Sequence, residues 1–118
     1  MKTVRVTFNS IHEALQSFGV FRHYRGYDYF VCAVKLAAEE QKRLKNIRKE
    51  VYEPVAKMHG TSIFNVERDI RTVRDVMMKN NGKELLNAMT GNCFWYDRVP
   101  YPKEIIGLFA DYFKNSIL

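Results

Sequence analysis

The stretch Val55-Ala56-Lys57-Met58-His59-Gly60-Thr61-Ser62-Ile63-Phe64-Asn65-Val66 decides how this chain is read. Two helices that cross closely need a small residue on the first, and Ala56 supplies it. Four residues later the backbone must turn through positive φ, which Gly60 tolerates. The second helix then needs a cap, here Thr61 or Ser62, and an apolar residue one turn in, here Val66. These are the requirements of a helix-turn-helix, met at the required offsets. His59 is the one departure, because an apolar residue is usual there.

Downstream, a long helix reaches from the Thr61 or Ser62 cap to about Asn81, and Gly82 is expected to end it. At about 3.6 residues per turn, Ile63, Val66, Ile70, Val73 and Met77 share one face, which is the core side. Phe64, Arg68, Arg71 and Asp75 point the opposite way. Glu67 and Arg74 flank them on one side, Asn65 and Thr72 on the other. Arginine can donate two parallel bonds to guanine O6 and N7, and glutamate can accept from cytosine N4, so this face suits a major groove. The same residues also fit a solvated face laced by Glu67–Arg71 and Arg71–Asp75 pairs.

Upstream, the pattern is helical from Asn9. Asn9 or Ser10 can cap a first helix carrying Ile11, Ala14, Leu15 and Phe18 inward, and Gly19 stops it. A second helix is expected over about Gly26 to Lys42, burying Tyr29, Phe30, Ala33, Val34 and Ala37. Its last turns are strongly polar, Glu39 to Arg43, and read as a solvated end. A third helix is expected over Leu44 to His59 with Ile47, Val51, Val55 and Met58 inward. Pro54 lies inside it and predicts a kink or break, since proline lacks the amide donor. Beyond Gly82 come a short helix over Lys83 to Met89 and a loop anchored by Phe94-Trp95. A last helix starts at Pro102 and carries Ile105, Ile106, Phe109, Phe113 and Ile117. The fold class predicted is all-α, a single six-helix domain over 9–118 containing a helix-turn-helix. Residues 1–8 read as a short N-terminal arm, extended or a short strand.

Composition bounds the function. The 118 residues fit one domain, and 47% are hydrophobic, which supports a sizeable core. The formal net charge is +6, and the pI is about 9.4. Such a balance suits a polyanionic partner, because Lys and Arg that neutralise phosphates release condensed counterions. His12, His23 and His59 stand at no metal-ligand spacing from one another or from Cys32 and Cys93, so neither a metal nor a cofactor is expected. No serine, cysteine or carboxylate is placed to pair with a histidine as nucleophile and base, so no enzyme activity is expected. No run is long and apolar enough for a membrane. The chain reads as cytoplasmic, and a disulfide is disfavoured.

Three further stretches carry a family resemblance. His23-Tyr24-Arg25-Gly26-Tyr27-Asp28-Tyr29 resembles the His-x-Lys/Arg-Gly-Tyr-x-Tyr signature of the effector domain of the sporulation master regulator family (Spo-zero-A). Lys49 to Lys57 resembles that family's Tyr-Pro-x-(Ile/Val)-Ala-Lys helix, with Tyr52 and Pro54 offset by one. Val66-Glu67-Arg68-Asp69-Ile70-Arg71 resembles the Val-Glu-Arg-x-Ile-Arg core of its recognition helix. The match runs in one order from about Asn9 to Phe113.

The resemblance implies a stand-alone effector domain and a transcription factor that binds double-stranded DNA at a TG-rich, CGAA-containing box, often in tandem copies. By motif match, Glu67, Arg68 and Arg71 would contact bases, with Asn65 beside them. Thr61, Ser62, Phe64, Thr72, Arg74, His23 and Arg25 would contact the DNA backbone. It further implies an RNA polymerase sigma factor as a partner near Lys83 to Cys93, and a homodimer on tandem sites. Family members carry a phosphorylated receiver domain, and the best-known ones have a basic residue where this chain has Asn65. The rival reading is a protein-interaction module that keeps the fold and binds another regulator.

Overall fold

The computed structural model describes residues 7–91 and 98–117, and these are helical throughout their ordered elements. The α-helices are α1 (Ile11–Ser17), α2 (Arg25–Glu39), α3 (Glu53–Met58), α4 (Ile63–Lys79), α5 (Gly82–Met89) and α6 (Pro102–Ile117). A 3-10 segment, Gln41–Asn46, and a π-helical turn, Arg48–Tyr52, lie between α2 and α3. No described helix is long and apolar enough to cross a membrane.

Helix α2 is the centre of the fold and packs between α4 and α6. It buries Tyr27, Phe30, Val31, Ala33, Val34, Leu36, Ala37 and Ala38, leaving a narrow outer strip of Asp28, Lys35 and Glu39. A helix apolar nearly all round must be covered on more than one side. Its alanines let both neighbours approach. Against α6 the contact is aromatic: Phe30 meets Phe109 edge-on at 5.1 Å, and Phe18, the C-cap of α1, joins at 5.8 Å. Against α4 the contact is closer still. A Cβ added at Gly26 would stand 2.2 Å from the Asp69 carbonyl oxygen and 2.7 Å from Val73 Cγ2. Only glycine lets the start of α2 rest on the α4 backbone.

The expected helix over 44–59 is broken into three pieces, and the break precedes Pro54. Proline has no amide to offer the Glu50 carbonyl, and the Arg43 side chain donates to that oxygen instead, Nη1 at 2.8 Å. One residue earlier, the Glu53 amide reaches back five residues to the Arg48 carbonyl, the hydrogen bond of a π turn. Pro54 itself sits in the first turn of α3, where a missing donor costs nothing. The buried residues here are Val51, Tyr52, Val55 and Ala56. Met58, expected inward, stands in the last turn of α3 and is 62% exposed.

Other boundaries shift for local reasons. Helix α2 ends at Glu39 and not Lys42, since Glu39 and Glu40 oppose the negative end of the helix dipole. Helix α4 ends at Lys79; Asn81 takes the left-handed conformation at φ 62°, and Gly82 opens α5 rather than closing α4. Tyr29, Ile47 and Ile63 are half-buried at the edge of the core. Phe8 is buried, its amide donating to the Tyr112 hydroxyl at 2.9 Å, so the end of the arm is held on α6. The strand expected over Val4 and Val6, the Phe94-Trp95 anchor, Cys93 and the Ile117 side chain lie outside the described residues.

Candidate nucleic-acid interface

The turn between α3 and α4 is built by hydrogen bonds that Gly60 permits. Gly60 has φ 62° and open space around its missing Cβ, so conformation, not room, demands glycine. The Thr61 amide donates to the Ala56 carbonyl at 2.9 Å, and the Gly60 amide to Lys57 at 3.4 Å, which closes α3 with a Schellman motif. Ser62 then caps α4: its Oγ accepts from the Asn65 amide at 3.0 Å. The Asn65 side chain reaches back, Nδ2 donating to Thr61 Oγ1 at 3.0 Å. Asn65, Thr61 and Ser62 thus rigidify the entry to α4. A base contact by Asn65 requires its amide to leave Thr61.

The outer face of α4 is bare where the periodicity placed it. Phe64, Arg68, Arg71, Thr72 and Asp75 are exposed, and Val66, Ile70, Val73 and Met77 are buried. Arg68 leans on two neighbours: Nε pairs with Asp69 Oδ1 at 3.1 Å, and the guanidinium lies 5.8 Å from the centre of the Phe64 ring. Asp69 is the buried charged residue among those described, its side chain 11% exposed. The Arg68 pairing meets the requirement of a buried carboxylate for a cation. Thr72 donates its hydroxyl to the Arg68 carbonyl at 3.2 Å, an intrahelical bond.

Glu67 is placed differently from Arg68 and Arg71. It is half-buried, and its Oε1 accepts from Arg48 Nε at 2.6 Å. Sequence reasoning did not single out Arg48. The basic residues Lys42, Arg43, Lys45, Arg48 and Lys49 form a visible run, but only the π turn brings Arg48 to α4.

Arg74 is turned away from the bare face. Its side chain is 16% exposed, paired with Asp75 at 2.9 Å and donating to the Pro100 carbonyl at 3.4 Å. Arg74 fastens α4 to the segment leading into α6, so the phosphate contact expected of it requires the side chain to leave Pro100. Tyr52 lies near the same helix. Burial pushes its phenol up to about 12, the Glu67 carboxylate adds to the rise, and Arg71 and Arg74 oppose it.

His23 and Arg25 are exposed just ahead of and at the start of α2. The close seat of Gly26 on Asp69 brings this end of α2 to the flank of α4. His23 stacks with Phe21 at 6.3 Å and with Tyr24 at 4.7 Å. Nearby, His12 Nδ1 shares a hydrogen bond with the Tyr27 hydroxyl and stacks on its ring, tying α1 to α2. Burial, with Arg22 and Lys35 adding to it, holds the His12 imidazole below its ordinary value.

A turn held by Gly60, a capped helix behind it and an outward row of arginines make one continuous surface. The family model described as sporulation initiation factor Spo0A C terminal matches residues 11–113 of the chain.

Proposed function

This chain belongs to the sporulation initiation factor Spo0A C-terminal family, a family of DNA-binding regulatory domains and not of enzymes, and from that premise we propose how it reads DNA. The segment α3–Gly60–α4 acts as a helix-turn-helix, and α4 enters the major groove with its exposed face. Arg68 donates to a guanine edge, Arg71 contacts the next part of the site, and Glu67 accepts from a cytosine. Thr61, Ser62, Thr72, His23 and Arg25 hold the phosphates on either side and fix the register. The reading is of a sequence-specific transcription regulator that takes a CGAA-containing box. The observation that carries it is the bare Arg68–Arg71 face of α4, presented by a rigid turn.

Glu67 enters the groove by exchanging Arg48 for a base, or by staying bonded to Arg48 while its second oxygen accepts. Both routes keep a cation beside the carboxylate, which limits repulsion from phosphates. A homodimer on tandem boxes and a sigma-factor contact around α5 are parts of the same reading.

A gel-shift titration with a CGAA-containing duplex, repeated at two salt concentrations, tests it. Expected are tighter binding than to a scrambled duplex and a loss of affinity with added salt. Equal binding to both duplexes, or none, defeats the reading. The exposed Phe64 and Met58 favour the second reading, a module that binds another regulator, and failure of the titration would support it.

A further inference from the structure

We propose that Phe64 reads the methyl group of a thymine within one or two base steps of the base taken by Arg68. The proposal rests on the groove reading above. Phe64 stands in the first turn of α4, two residues past the Ser62 cap, and is 67% exposed. The N-terminal residues of a groove-bound helix are those that meet base edges. A phosphate contact, the role expected for this position from the sequence, asks for a hydrogen-bond donor or a positive charge. A phenyl ring offers neither. On the floor of a major groove the apolar feature is the thymine C5-methyl, and phenylalanine is among the side chains that meet it.

The geometry supports pairing this contact with Arg68. The two residues are four apart on one helix, and the guanidinium lies 5.8 Å from the ring centre. That cation–π contact steadies two side chains that would otherwise sample several rotamers. Four residues advance a helix by about 6 Å. Stacked bases on one strand are separated by about 3.4 Å. The ring and the guanidinium therefore span neighbouring or next-neighbouring base pairs. One presents an apolar surface, the other a forked donor. Asp69, almost buried, also holds the guanidinium through Nε at 3.1 Å, so the arginine of the pair is braced a second time.

The test removes one methyl group and nothing else. The preferred duplex is obtained by selection from random sequences, and each thymidine is replaced singly by deoxyuridine. The parent protein should bind one of these duplexes about three- to tenfold more weakly, the loss expected for a buried methyl. Phe64→Ala should bind the thymidine and deoxyuridine forms alike, and Phe64→Leu should keep part of the difference. Thermal unfolding of both variants should match the parent, because the ring covers no core. If the parent binds every deoxyuridine duplex as well as the original, Phe64 reads no methyl. The same holds if Phe64→Ala keeps the full discrimination. If selection yields no preferred duplex, the groove reading fails and takes this inference with it. A preferred duplex that is blind to the methyl sinks the inference alone.

Discussion

Arg48 Nε lies 2.6 Å from Glu67 Oε1, so a residue of the π turn holds a residue of α4. Arg48 is 67% exposed and Glu67 27% exposed in their side chains. Exposed pairs of this kind contribute little stability, about 0–1 kcal/mol. Arg48→Ala should therefore shift the melting temperature only slightly. Its effect should fall on DNA: Glu67 is left as an uncompensated negative charge beside phosphates. Weaker binding to specific and scrambled duplexes alike is expected, and Glu67→Gln in the Arg48→Ala background should restore part of it. Unchanged affinity in Arg48→Ala would show that the pair has no part in binding.

Arg68→Ala should cost about 1–3 kcal/mol of binding free energy and relax one position of the site. It also strips the cation from Asp69, which is almost buried, so a measurable loss of stability should accompany it. Arg68→Ala, Asp69→Asn separates the two effects. The double variant should recover stability relative to Arg68→Ala and remain relaxed in specificity. Selection on random duplexes with each variant provides the measurement. An unrelaxed site in Arg68→Ala would remove Arg68 from the set of base readers.

Gly26 and Gly60 should respond oppositely to substitution size. At Gly60 the demand is φ 62° with open space, so Ala costs about 1 kcal/mol and Asn less. At Gly26 the demand is room: the new Cβ meets the Asp69 carbonyl at 2.2 Å, and α2 must move off α4. Gly26→Ala should lose about 1–3 kcal/mol or more, and Gly26→Asn should be worse. Urea unfolding of the four variants checks the order. Equal costs for Ala at both positions would contradict the close seat of α2 on α4.

Tyr52 gives a pH signature. Its folded value, about 12, lies above the ordinary 10.0. Between these values the unfolded chain has released the proton and the folded chain retains it. The unfolded state then binds fewer protons, so stability falls as pH rises from about 10 toward 12. The lost contribution is on the order of 2 kcal/mol. Tyr52→Phe should flatten this part of the stability profile, measured as the difference between parent and variant. In an ultraviolet titration Tyr27 and Tyr52, both raised by burial, should ionise late in the parent, and the latest step, that of Tyr52, should vanish in the variant.

Much of this was legible in the chain itself. The apolar spacing of α4 placed Val66, Ile70, Val73 and Met77 inside and Phe64, Arg68 and Arg71 outside, because a single long helix obeys its own period. The cap at Ser62 and the turn at Gly60 are equally local, each set by hydrogen bonds within about six residues. The family signatures led to the same surface. The segment before α3 was less legible. Pro54 announced a fault but not its form, since the Glu50 carbonyl is satisfied by a side chain seven residues away and the helix widens upstream of the proline. Met58 ended outside at the last turn of α3, and Arg48 of the π turn came to lie beside Glu67.

Local spacing thus determined which face of α4 is bare and where that helix begins, because backbone hydrogen bonds and side-chain period act over a few residues. The fold alone decided which charged residues of α4 are committed to other elements: Glu67 to Arg48 and Arg74 to Pro100. Charged side chains are long and take whichever counter-charge or carbonyl packing brings near, and that neighbour comes from another helix or loop as readily as from their own.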